Sequence, residues 1–138
     1  MRSEFPVIQP TNGWFPANIH AFSTMREGGA SLAPFQGRSL GGGLNLGDHV
    51  GDDPEVVAHN REIINERLPS RVTFLSQIHG VDVVDAAQMQ QNQTADGCFT
   101  VKAGVVCAVL TADCLPVLLS DDRGTVVAAA HAGWRGLA

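Results

Sequence analysis

Val105-Val106-Cys107-Ala108-Val109-Leu110 is apolar at every position and then breaks into Thr111-Ala112-Asp113-Cys114-Leu115-Pro116. An unbroken apolar run of this length, rich in β-branched residues and closed by turn formers, reads as a strand covered on both faces. Val72 to Leu75, Val81 to Val84, Val117 to Leu119 and Thr125 to Ala130 read as strands too, and Val126 to Ala130 is again apolar on successive residues. Ahead of them, Asp52-Asp53-Pro54-Glu55 supplies an N-cap, a first-turn proline and an acidic residue at the positive end of a helix dipole. Val56, Val57, Ile63, Ile64 and Leu68 recur at helical spacing, and Pro69 closes the helix. His59 and Asn60 fall away from the centre of that stripe and read as surface residues. The expected fold class is α/β, built on a mixed sheet.

Length and composition bound the function. With 138 residues the chain fits a single domain, and 44% hydrophobic content with a mean hydropathy of +0.04 argues against a wholly disordered chain. Fourteen acidic residues against nine Lys and Arg leave no electrostatic footprint for a nucleic-acid duplex. The longest near-apolar run, Ala103 to Leu110, is far shorter than the roughly 18 residues of a membrane span. Met1 to Pro10 has no apolar core of the export type, so a cytoplasmic protein is expected, with neither nucleic acid nor membrane as partner.

The first fifty residues are turn-rich, with a short strand expected in Ile19 to Thr24. Gly41-Gly42-Gly43 lacks the lysine and the strand-turn-helix order of a phosphate loop and reads as a flexible loop. Three cysteines are an odd number, which argues against a disulfide framework. Cys107 reads as a small buried hydrophobe, and Cys98, beside Gly97, as an incidental residue of a polar turn.

The chemistry gathers where three expected strands end. Val72 to Leu75 leads to His79, Val105 to Leu110 to Cys114, and Thr125 to Ala130 to His131, each followed by turn formers. Ligands and catalytic groups collect at strand ends in α/β sheets. His79, Cys114 and His131 are separated by 35 and 17 residues, unlike the short paired spacings of zinc fingers, so the fold itself has to assemble any shared site. Two imidazoles and a thiolate leave a zinc ion one vacant position, which suits catalysis. Copper of the blue type uses the same trio, but no Met lies near enough in sequence to serve as the axial ligand.

Ser76-Gln77-Ile78-His79-Gly80-Val81, Thr111 to Leu119 and Ala129-Ala130-His131-Ala132-Gly133-Trp134-Arg135-Gly136 closely resemble motifs of the YfiH-like purine nucleoside phosphorylases, formerly described as multicopper polyphenol oxidases or laccases. Asn45 to Pro54 resembles that family's loop before its first helix, and Ser23 to Gly29 its Arg-Gly-Gly segment. The resemblance implies a YfiH-like mixed β-sheet sandwich with helices, also likened to a bacterial toxin deamidase. It implies His79, Cys114 and His131 as zinc ligands, and phosphorolysis of adenosine, inosine and methylthioadenosine together with adenosine deamination. Purine nucleoside and phosphate are then the partners. Family members continue beyond the Gly-Trp-Arg-Gly motif, so residues 1–138 are expected to be the front portion of the family domain. Exposed apolar surface around Val126 to Ala130 is expected with it, relieved by a further portion of chain or by self-association.

Within that reading, Arg26 and Arg135 are anion candidates because each offers a planar fork of donors, with Arg135 at the start of a helix. Asn45, His49 and Gln77 are further substrate-binding candidates, and Gln77 alternatively completes its turn. Asp113, beside Cys114, is a candidate proton carrier or a carboxylate that orients a ligand. A rival reading makes Cys114 a nucleophile with His131 as its base, as in cysteine hydrolases or deamidases. A third is a metal-binding module without catalysis. Trp134 reads as a core or helix-packing residue.

Overall fold

A computed structural model describes residues 4–38 and 41–138. The chain forms two compact units, one from the described residues of Met1–Thr11 and Ala21–Leu68, the other from Asn12–His20 and Pro69–Ala138.

In the first unit β1 (Val7–Ile8) pairs antiparallel with β2 (Ser23–Thr24), and β3 (Glu27–Gly29) with β4 (Gly42–Gly43). Only the last two residues of the strand expected in Ile19 to Thr24 pair. Two of the three consecutive glycines, expected to form a flexible loop, are a strand instead, and the reason is steric. A Cβ on Gly43 would lie 1.6 Å from the Phe35 carbonyl oxygen, and one on Gly42 2.2 Å from that of Gly29. These glycines permit close backbone approach rather than mobility.

The helix α1 (Pro54–Asn65) begins as expected: Asp53 is its N-cap and accepts the Glu55 N–H at 2.9 Å. It ends at Asn65, ahead of Pro69, in tight turns from Arg67 to Ile64 and from Leu68 to Asn65. Ile63 and Ile64 pack with Phe5 and Leu44 as the unit's core. His59 is exposed, but Asn60 is fully buried, contrary to the surface reading. Its amide accepts the Ala30 N–H and donates to Ser31 Oγ and to the carbonyls of Gly43 and Asn45. A buried amide is tolerated when every polar atom finds a partner, so the stripe read from apolar periodicity has a polar member that ties α1 to β4.

The second unit holds a four-stranded sheet in the order β5 (Val83–Asp85), β6 (Gly97–Thr100), β8 (Val127–Ala132), β7 (Leu115–Ser120). β5 runs parallel to β6 and the other neighbours are antiparallel, so the sheet is mixed as expected. β7 lies at one edge, where Pro116 costs no ladder bond. Cys98, Ala129 and Leu118 share a register row, and their face packs against Leu75, Ala95, Cys107 and Val109. Cys98 is therefore a fully buried strand residue, not part of a polar turn.

Val105 to Leu110 does not pair as a strand, and neither does Val72 to Leu75, beyond which only Ser76 forms an isolated bridge to Thr94. Both segments are apolar because they pack over the sheet's face, with Cys107, Val109 and Leu75 in its core. Leu110 finds its hydrogen bonds elsewhere: its N–H donates to Gln77 Oε1 and its carbonyl accepts from Gln77 Nε2, both at 2.7 Å. One side-chain amide thus stands in for a neighbouring strand. No helix among the described residues is long and apolar enough to cross a membrane.

Candidate metal centre

The three residues expected at strand ends meet, but not by that route. His79 lies in a loop after an unpaired segment, Cys114 immediately precedes β7, and His131 sits inside β8 opposite Pro116. Since β7 and β8 are antiparallel neighbours, the start of one lies beside the end of the other, which brings Cys114 to His131. The loop carrying His79 is drawn in from the other side. One ligand atom from each of the three residues lies within 4.8 Å of the other two, the one such group among the described residues.

Local geometry fixes each donor. His79 has φ of 62°, in the left-handed region that non-glycine residues seldom enter. Its imidazole packs on Gly133, where an added Cβ would fall 2.5 Å from His79 Cδ2. His79 Nε2 lies 3.6 Å from Cys114 Sγ, and its ring meets that of His131 edge-on, with centroids 4.9 Å apart. His131 is buried and its Nδ1 is 2.8 Å from Asp96 Oδ2. With Nδ1 donating to that carboxylate, Nε2 carries a lone pair for a metal.

Asp96 had no signal in the sequence. The dipeptide Asp96-Gly97 looks like any turn, yet the carboxylate is buried beneath the site. Burial alone would raise its pKa. The hydrogen bond from His131 and the backbone N–H groups of Gly80, Ile78 and His79 outweigh that and hold the carboxyl below its ordinary range. Asp113, expected to move protons or orient a ligand, is exposed with Oδ1 3.7 Å from Cys114 Sγ. Partial burial, then the negative charge of Asp113, pushes the Cys114 thiol up from its usual value. A thiol so placed is a poor free thiolate, and a coordinated cation is what would remove its proton. The imidazole meeting the thiol is His79, whereas the cysteine-hydrolase reading gave His131 that role.

The other candidates serve their own neighbourhoods. Both ends of the Gln77 amide are engaged by Leu110. Arg135 is exposed, its guanidinium 4.9 Å from the Trp134 ring centre. After β8 the described residues make a single turn in which Leu137 N–H donates to the Gly133 carbonyl. Trp134 is 71% exposed and not a core residue; its indole meets the Arg135 guanidinium. In the first unit, Arg26 donates from Nε to the Gln36 carbonyl at 2.6 Å and from Nη2 to that of Pro34. Asn45 ties its own loop through Gly47 and Asp52, and His49 is exposed beside Asp48.

A cleft of about 190 Å³ opens onto Asp96 and His131 between Gly80, Val83, Ala130 and Ala132. Typical small-molecule pockets measure roughly 300–1,000 Å³, so this one does not enclose a nucleoside unaided. Two imidazoles and a thiol converging on one point, with one imidazole oriented by a carboxylate, make a site fit for a metal ion.

Comparison with known proteins agrees. A family described as multi-copper polyphenol oxidoreductase laccase matches residues 20–138. A Pseudomonas aeruginosa protein named purine nucleoside phosphorylase PA4543 is 50% identical over 123 residues, covering 89% of this chain and 48% of its own length. The Escherichia coli purine nucleoside phosphorylase YfiH is 46% identical over 125 residues, covering 88% and 49%. The crystal structure of Neisseria meningitidis NMB0706, of family DUF152, superimposes with a TM-score of 0.81 at 46% identity, covering 96% of this chain and 52% of that one. The chain thus spans about half the length of the relatives it matches. On sequence and fold alike, it belongs to the multi-copper polyphenol oxidoreductase laccase family, the DUF152 or YfiH-like family.

Proposed function

We propose that the chain carries the metal-binding portion of a zinc-dependent purine nucleoside phosphorylase, acting on adenosine, inosine or methylthioadenosine, with adenosine deamination as a second activity. The observation that carries this reading is the convergence of His79, Cys114 and His131 in a chain half identical to a protein of that name. Zinc suits the trio. Tetrahedral bonds of about 2.0–2.1 Å to nitrogen and 2.3 Å to sulfur put the two donors about 3.6 Å apart, and His79 Nε2 and Cys114 Sγ are separated by 3.6 Å. Copper, which the family's description names, is the competing ion.

When bound, the ion supplies Lewis acidity at the position the three side chains leave open. The chain's own groups do the rest. In phosphorolysis a phosphate oxygen bonds to C1′ of the ribose as the bond from C1′ to the purine nitrogen breaks, and the base leaves with a proton. Asp113, exposed beside Cys114, is our candidate to move that proton, in phosphorolysis as in deamination. Of the substrate-contact candidates, Arg135 in the second unit is exposed, whereas the Gln77 amide is held by Leu110 and the Asn45 amide by its own loop. Arg135 is the better phosphate ligand of the two arginines, because Nε and Nη2 of Arg26 are already held by carbonyls.

The same 3.6 Å contact supports a second reading, Cys114 as a nucleophile with His79 as its base. Peptide mapping after alkylation separates the two. Zinc that shields Cys114 from iodoacetamide supports the metal reading, and rapid alkylation of a metal-free, active protein supports the dyad. The functional test is an inosine assay with and without phosphate, with His79→Ala and Cys114→Ala as controls. Hypoxanthine release that needs phosphate and both residues is expected, and release that needs neither defeats the assignment.

A further inference from the structure

Asp96 joins two of the three donors. It is 4% exposed, and every described hydrogen bond of its carboxylate serves the site. Oδ1 accepts the backbone N–H of Ile78 at 3.0 Å and of Gly80 at 2.8 Å. Oδ2 accepts the N–H of His79 at 2.9 Å and lies 2.8 Å from His131 Nδ1. Its main-chain carbonyl also accepts the His131 N–H at 2.7 Å. Three successive N–H groups, made to converge by the left-handed φ of His79, form the kind of concave nest that binds anions, and here the anion is the protein's own carboxylate.

We propose that Asp96 is the positioning residue of the metal centre: its carboxylate fixes the His79 turn and holds His131 in the tautomer whose Nε2 is bare. The inference rests on the metal-binding reading of the trio. Asp113, the carboxylate adjacent in sequence to a ligand, contacts neither imidazole through any described hydrogen bond. An isosteric amide would fail at Asp96 for a specific reason. All four partners are donors, so the side chain introduced by Asp96→Asn must turn its NH2 toward one pair of them. If its oxygen keeps Ile78 and Gly80, the NH2 faces His131 Nδ1, which must then accept. The proton moves to Nε2, where it blocks a metal.

The test uses metal-free protein and cobalt. In long-range proton–nitrogen NMR of the metal-free chain, about two pH units above the ordinary imidazole value, His131 should be protonated at Nδ1. The opposite tautomer in the unmodified chain overturns the proposal without any variant. Asp96→Asn should shift the proton to Nε2 and weaken cobalt binding by about 10- to 100-fold, with the sheet's circular dichroism retained. Cobalt absorption bands that need Cys114 but are unchanged in affinity by Asp96→Asn defeat the positioning role and leave the metal site standing. Bands that do not need Cys114 defeat the metal reading itself.

Discussion

Gly133 shows how narrowly the centre is built. The residue after β8 has no side chain, and the His79 imidazole occupies the space where one would be. Gly133→Ala should therefore displace His79 and weaken metal binding by about 10- to 100-fold, measured by competition with a chelator, while the sheet's circular dichroism stays unchanged. Of the residues that matter at this scale, His79, Cys114 and His131 were legible because each stands in a distinctive string followed by turn formers. Asp96 and Asn60 were not. A polar residue that folding buries looks locally like one left in water, since what distinguishes it is a set of hydrogen-bond partners far along the chain: Ile78 to Gly80 and His131 for Asp96, and Ala30, Ser31 and Gly43 for Asn60.

Among the elements, the β7–β8 hairpin places Cys114 beside His131, and Asp121 ties its turn. That carboxylate accepts from the Thr125 hydroxyl and from the N–H groups of Thr125 and Val126. The Thr125 hydroxyl, followed by those N–H groups and the Arg123 charge, holds the carboxyl below its ordinary value of 3.8. A depressed folded pKa contributes stability that is complete above the ordinary value and lost as pH falls through the folded one. The amide resonances of Thr125 and Val126 should hold steady from neutral pH to about pH 5 and shift only below the ordinary carboxylate range. In Asp121→Asn that titration should vanish. Pattern reading found α1, β5, β7 and β8 to within a few residues but misjudged Val105 to Leu110. An unbroken apolar run reports burial, and burial against a sheet's face leaves the same trace as pairing within it. β6 was missed for the converse reason: Gly97-Cys98-Phe99-Thr100 is short, and Asp96-Gly97 at its start imitates a turn.

At the scale of the whole molecule, the second unit's sheet has two unlike faces. Cys98, Ala129 and Leu118 are packed, whereas Leu119 on the opposite face is 55% exposed, with Val83, Phe99 and Leu115 also open. Leu75→Ala should cost about 2–4 kcal/mol in a denaturant melt, and Leu119→Lys less than about 0.5 kcal/mol. An apolar face of this kind drives association. Sedimentation should show the chain self-associating with concentration and Leu119→Lys reversing it, and a monomer at all concentrations would contradict that expectation. The phosphorylase reading depends on one structural statement, that His79, Cys114 and His131 bind a single ion together. Metal content after dialysis against zinc, measured by native mass spectrometry on the intact chain, tests it most directly. One ion per chain, lost in each of His79→Ala, Cys114→Ala and His131→Ala, is the predicted result. Undiminished zinc in those variants, or none in the unmodified chain, would contradict the account.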